Sequence, residues 1–313
     1  MKILVTGCAG FIGSHVCEKL LKDNTIKIYG IDNLNDYYNV SFKKLNIKIL
    51  KKYSNFTFFE EDVCNTNIIT EFKPDKICHL ASYAGVRYSI ENPKLYVRNN
   101  IEGFIHILEE CVKNKINKII YASSSSVYGL NKKIPFKETD KIEKTNSPYA
   151  VTKLSMELFA KTYYQLYNIK SIGLRFFTVY GPRGRPDMAP FKFLNAIENG
   201  MEFEKYGDGN SSRDYTYIDD IVEGIIAALF NNDIGCEIYN LGNSKPVTLN
   251  KFINLCEKVT GEKAKYIKVN EKLGDVPHTC ADISKAKKDL NYFPKTELID
   301  GLEKTLQWIK TNL

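Results

Sequence analysis

The chain has 313 residues, of which 43% are hydrophobic and 26% charged, with a net charge of +7. That length allows two domains or one large α/β body with an appendage, and the ordinary globular composition excludes disordered, collagen-like and fibrous classes. The longest stretch without a formal charge, Ile3 to Cys17, spans 15 residues and is broken by three glycines, short of the roughly 18–20 apolar residues that a membrane span requires.

In chain order, six short runs rich in Val, Ile and Phe read as strands: Lys2–Thr6, Lys27–Asp32, Phe56–Glu60, Lys76–Ala81, Lys118–Ser123 and Ser171–Phe177. Between them, apolar residues recur at three- and four-residue steps near 13–23, 41–53, 66–71, 93–114 and 148–168, which predicts helices. Strands alternating with helices imply right-handed crossovers and a parallel sheet buried on both faces, a doubly wound α/β domain. After about residue 180 the rhythm changes to loops between helices near 190–200, 217–231, 249–260, 283–290 and 298–311. We therefore expect a first domain over 1–180 and a smaller α/β lobe over 181–313, laid on the C-terminal edge of the sheet and exchanging some chain with it.

Basic residues are scattered without a block of five or six, which argues against a nucleic-acid partner and suits anionic small molecules. Only Arg87, Arg98, Arg175, Arg183, Arg185 and Arg213 are arginines; the other basic residues are lysines. An Arg in so Lys-rich a chain marks a place for a planar, bidentate donor. The eight cysteines form no CxxC pair and show no zinc-ligand spacing, so free thiols and no metal are expected. The N-terminal apolar run reaches glycine too early for a signal peptide, which points to the cytoplasm.

Directly after the first strand, Gly7, Gly10 and Gly13 form a GxxGxxG turn that opens into a helix. Glycines there permit a tight turn and close backbone approach, leaving amide groups and a helix N-terminus aimed at a pyrophosphate. Asp32 follows Gly13 by nineteen residues, at the end of the second strand, where a carboxylate accepts from ribose hydroxyls and repels a 2′-phosphate. NAD is therefore expected over NADP. Asp62, after the third strand, stands either at the adenine or as a strand-end cap.

Ser123, Ser124, Ser125 and Ser126 end the fifth strand, and Tyr149 and Lys153 lie four apart at the start of a helix after Pro148. Tyr149 and Lys153 thus share a helix face, where an ammonium stabilises a phenolate and draws its pKa down from about 10. In an extended strand Ser124 and Ser126 point one way and Ser123 and Ser125 the other, so one pair faces the substrate oxygen.

These signals resemble the extended short-chain dehydrogenase/reductase superfamily, and the resemblance runs through nearly the whole chain. More narrowly, Asp32–Tyr38, Ala84–Ser89, Arg175–Ala189 and Arg213–Asp220 resemble the UDP-glucuronate 4-epimerases. The resemblance implies Tyr149 as acid/base, Lys153 as its partner and a ligand of the nicotinamide ribose, and Ser124 on the sugar 4-oxygen with Ser126 beside it. It adds Phe11, Ile12, Asn33, Asp62, Val63, Leu80, Ala81, Ala84, Asn99 and Ser123 to the NAD shell. For a UDP-sugar with two phosphates and a carboxylate, it implies Arg213 at the diphosphate, Arg185 with Thr178 at the carboxylate, and Arg87, Met188 and Asp275 nearby. The reaction implied is inversion at C4 of UDP-glucuronate through a transient 4-keto sugar. UDP-glucose 4-epimerase is the main rival, ahead of a decarboxylase and a non-catalytic NAD-binding regulator. A 4,6-dehydratase resembles its relatives in carrying Asp-Glu where Ser125 and Ser126 stand here. The chain departs from the family at Ser82, commonly alanine, and at Arg183, commonly tryptophan. Apolar residues beyond one face of the helices near 93–114 and 148–168 predict a homodimer through a four-helix interface.

Overall fold

A computed structural model describes residues 1–270 and 274–312. Seven strands make the main sheet: β1 (Lys2–Thr6), β2 (Lys27–Asp32), β3 (Phe56–Glu60), β4 (Lys76–His79), β5 (Lys118–Ser124), β6 (Lys170–Phe176) and β10 (Cys236–Leu241). They run in the order β10-β6-β5-β4-β1-β2-β3, all parallel. Successive residues point to opposite faces. Ile3, Val5, Cys78 and Ile120 accordingly enter one apolar core, and Leu4, Ile77, Ile119 and Tyr121 the other.

Around this sheet pack α1 (Phe11–Leu21), α2 (Val40–Leu50), α3 (Ile68–Phe72), α4 (Val86–Glu91), α5 (Pro93–Tyr96), α6 (Gly103–Asn114) and α7 (Pro148–Tyr167). Beyond them come β7 (Thr178–Tyr180), α8 (Ala189–Glu198), β8 (Glu202–Tyr206), β9 (Ser212–Tyr217), α9 (Ile218–Phe230), β11 (Pro246–Thr248), α10 (Leu249–Thr260), β12 (Lys265–Val269), α11 (Ser284–Leu290) and α12 (Leu298–Asn312). Two small sheets, β11-β9-β7 and β12-β8, lie in this later part.

The six strands read from the sequence form, with β4 ending two residues early at His79. The later segment differs from expectation: among the described residues β7 leads into it and it contains five further strands, β8 to β12, one of which, β10, completes the main sheet beside β6. β8, β10 and β12 are partly or largely exposed and the buried β9 is polar in sequence, so none shows the continuous apolar run that marks a buried parallel strand. The single helix expected over 93–114 is instead α5, a π-helical turn at Val97–Glu102, and α6. Asn99 and Asn100 are buried in that turn, and Asn100 bonds both the N–H and the carbonyl of Tyr83 as well as Thr152. Such turns frequently mark functional sites.

The α7 helix starts where Ser147 accepts a bond from the Ala150 N–H at 3.2 Å and Pro148 supplies a helical φ. It ends at Asn168 in the left-handed conformation, φ 55°. The sheet order reverses between β1 and β4, and open α/β folds bind ligands at the C-terminal ends of such a pair.

Candidate active site

A cavity of about 470 Å³ opens at that switch point. Its nucleotide end is built of backbone. Gly7, with φ 71°, follows β1; a Cβ there would lie 2.8 Å from the Ala81 nitrogen, just beyond β4. A Cβ on Gly13 would meet the Gly7 carbonyl oxygen at 2.1 Å. The first intrahelical bond of α1 runs from Ser14 N–H to the Gly10 carbonyl, at 3.0 Å. The amides of Phe11, Ile12 and Gly13 precede it and carry the positive end of the helix dipole.

Asp32 lies beside this cradle, nearly buried, and accepts from the N–H groups of Ala9 and Leu34 at 3.1 and 2.9 Å. Burial pushes its carboxyl up, while Lys43 and those amides oppose the rise. Lys43, a residue sequence reasoning missed, spends its ammonium on the Asn35 carbonyl and side chain at 2.7 and 2.9 Å. Under the cradle the Thr6 hydroxyl accepts from the Leu80 and Ala81 N–H groups and meets Nδ1 of His79 at 2.9 Å.

At the other end, α7 and the end of β5 converge. Tyr149 and Lys153 line the cavity, and the Lys153 ammonium lies 6.0 Å from the Tyr149 ring centroid while donating to the Ala122 carbonyl at 2.7 Å. Burial brings Lys153 down to about 7, opposed by Glu157. Burial also raises Tyr149, against the lowering by the Ser124 hydroxyl bond and by Arg185. The expected lowering of Tyr149 is therefore not seen: desolvation outweighs the nearby charges.

The serines divide in a way that alternation alone does not give, because β5 ends at Ser124 and a 3₁₀ turn follows over Ser125–Tyr128. Ser124 faces Tyr149 and accepts from the Ser126 N–H at 3.2 Å. Ser123 turns its hydroxyl away, donating to Glu157 at 2.5 Å. Glu157 takes a two-pronged bond from Arg175, at 2.9 and 2.7 Å, in the buried interior. Sequence reasoning missed this pair, although a carboxylate four residues past Lys153 and an Arg inside an apolar strand were signals for it.

Among the candidates, Gly7, Gly10, Phe11, Ile12, Gly13, Asp32, Asn33, Val63, Leu80, Ala81, Ala84, Asn99, Ser123, Ser124, Ser126, Tyr149, Lys153, Thr178, Arg185, Met188, Arg213 and Asp275 line the one cavity. Asp62 and Arg87 do not. Asp62 accepts from the Cys64 N–H and from Arg98, each at 2.9 Å, as a strand-end cap does. Arg87 pairs with Asp275 at 2.7 Å and covers the Tyr206 ring. The Arg185 guanidinium has its fork on Asp187, at 3.0 and 2.5 Å, and also donates to the Tyr37 hydroxyl at 3.0 Å. Arg213 donates to the carbonyls of Ser212 and Pro277. Arg183, at φ 61°, donates to Glu18 at 2.5 Å and to His15 at 3.3 Å, so its buried charge is matched.

Glycine cradle, ribose carboxylate and a Ser/Tyr/Lys centre in one cavity define a dinucleotide-binding α/β protein equipped for proton transfer next to the cofactor. A model of the NAD dependent epimerase/dehydratase family matches residues 3–242, and the chain belongs to that family. It is 44% identical to a UDP-glucuronate 4-epimerase of Thermodesulfobacterium geofontis, over 99% of this chain and 96% of that one. Among solved structures, the UDP-glucuronic acid 4-epimerase of Bacillus cereus in complex with UDP-glucuronic acid and NAD is similar at TM-score 0.95 and 39% identity, covering 100% of both chains. A UDP-glucose 4-epimerase of Thermotoga maritima with UDP-glucose is similar at TM-score 0.91 and 32% identity, covering 99% of both.

Proposed function

We propose that this chain is an NAD-dependent 4-epimerase of a UDP-sugar, converting UDP-glucuronate to UDP-galacturonate. The observation that carries this reading is that Tyr149, bonded to Ser124, faces the same cavity as the Gly7–Gly13 cradle and Asp32. The residues fit NAD: any side chain at Gly7 or Gly13 would fill the cradle, and Asp32 stands where an adenosine ribose needs an acceptor and a 2′-phosphate would be repelled.

The Gly7–Gly13 cradle and Asp32 would hold NAD, which would supply a reversible hydride acceptor for C4 of the sugar. Tyr149 takes the O4 proton and later gives it back, Ser124 with Ser126 beside it orients that oxygen, and Lys153 supports the phenolate and the nicotinamide ribose. Arg213 serves the diphosphate, and Arg185 with Thr178 the C6 end, beside Met188, Arg87 and Asp275. Ser125 and Ser126 carry no carboxyl, so proton removal at C5 by this pair, as dehydration needs, is disfavoured.

One observation favours the second reading, a UDP-glucose 4-epimerase: the fork of Arg185 is taken by Asp187, where a uronate would have to compete. Incubating the protein with each nucleotide sugar and resolving the C4 epimers by chromatography decides between them. Conversion of UDP-glucose alone would overturn the uronate reading, and conversion of neither would overturn both.

The reading includes a division of labour, residues 1–180 holding NAD and 181–313 most of the UDP-sugar, with β10 and α9 returned to the main sheet. It includes a homodimer through α6 and α7, supported by the exposed Val151, Leu158, Leu166 and Tyr167 along α7. It also places the enzyme in the cytoplasm without nucleic-acid or membrane partners. The eight free cysteines support a reducing compartment; among the described residues no helix is long and apolar enough to cross a membrane, and none groups as a metal site.

A further inference from the structure

We propose that Glu157 is a positioning residue for the catalytic pair: from one helical turn below Lys153 it keeps that ammonium charged, and through Ser123 it fixes the strand end that presents Ser124. The proposal rests on the epimerase reading of Tyr149 and Lys153.

Residues 149, 153 and 157 follow one another at four-residue steps, so they share a face of α7. Lys153 is 1% exposed, and among the described residues its one oxygen partner is the Ala122 carbonyl, with the Met156 sulfur at 3.7 Å. A buried ammonium so placed is drawn toward its neutral form unless an anion faces it. The surrounding elements supply little else. His79, on β4, is fully buried and held neutral, brought down to about 3 by burial and by Lys153 itself. The phenols of Tyr149, Tyr121 and Tyr128 are all pushed up by burial and stay uncharged. Arg175, on β6, is a cation. Glu157 is the group that raises Lys153 against desolvation.

Glu157 is itself gripped by buried partners. Arg175 gives it two bonds and Ser123 a third, at 2.9, 2.7 and 2.5 Å, and all three residues are buried. Ser123 is the neighbour of Ser124, so the same carboxylate grips both structural elements that meet at the sugar oxygen. A purely structural ion pair would hold β5, β6 and α7 together without setting the charge of Lys153.

The test is the holoenzyme carrying Glu157→Gln, assayed with UDP-glucuronate between pH 6 and 9. The amide keeps the shape and removes the charge, so the loss of activity with rising pH should move to lower pH by about one unit, a typical effect of one adjacent opposite charge. The deficit is then small at pH 6 and reaches about tenfold at pH 8. The side-chain resonance of Lys153 in lysine-labelled protein, assigned with Lys153→Met, should titrate lower by the same amount. Because Glu157→Gln leaves Arg175 buried without its partner, Glu157→Gln/Arg175→Met serves as the second variant and should shift the same way. A deficit equal at every pH, or a Lys153 titration that does not move in either variant, overturns the proposal. If the wild type converts no UDP-glucuronate, the functional reading fails, and the Lys153 titration still decides the role of Glu157.

Discussion

The two ends of the cavity are made of different material. At the end proposed for the nucleotide the groups facing the cavity are main-chain amides at the start of α1, and the tight positions are those without side chains: Gly7 lies against the backbone after β4, and Gly13 against the carbonyl of Gly7. At the end proposed for the sugar the lining groups are side chains held by other side chains: Arg185 by Asp187 and Tyr37, and Asp275 by Arg87. A backbone site tolerates no added atom, whereas a side-chain site is adjusted pair by pair. That difference suits a family that keeps one cofactor and varies its sugars.

The largest effect should come from the chemical centre between the two ends. Tyr149→Phe removes the phenol and leaves the cradle intact, so turnover should fall by roughly 10²–10⁴ with bound NAD unchanged. Near-normal turnover would move the acid/base role to the serines. Gly13→Ala tests the backbone end: a methyl 2.1 Å from a carbonyl oxygen requires the turn to open. Overpacking of this kind costs about 1–3 kcal/mol, visible as a lower melting temperature and lost nucleotide in the purified protein; an unchanged NAD content would show that the turn is not tight.

At the sugar end, Arg185→Ala should lower kcat/KM for UDP-glucuronate about tenfold or more while affinity for UDP alone changes little, as expected for losing a charge-assisted bond of about 1.5–3 kcal/mol. Equal losses would put Arg185 on the diphosphate. The smallest effect belongs to the rim. Arg87 and Asp275 are 41% and 31% exposed, and half-exposed pairs contribute about 0.2–1 kcal/mol. Asp275→Asn should therefore change kcat/KM by less than about fivefold, and less at high salt; a far larger loss would make this pair part of sugar recognition.

Much of this site was readable in the sequence because its signals are local. GxxGxxG between a strand and a helix, Asp32 at the next strand end, and Tyr149 four residues before Lys153 each declare geometry within one or two elements, where backbone sterics and helical periodicity leave few alternatives. The parallel order of the first six strands follows from the same short-range rules. Tertiary structure decided what lies between distant elements. It drew β10 into the main sheet although its residues alternate weakly, since pairing with β6 rather than local propensity makes it a strand. It pointed the Ser123 hydroxyl at Glu157, gave Asp62 to Arg98, and set the fork of Arg185 on Asp187. Charged side chains choose partners by distance in space, and buried ones must find them, so their pairing depends on the assembled chain rather than on spacing along it.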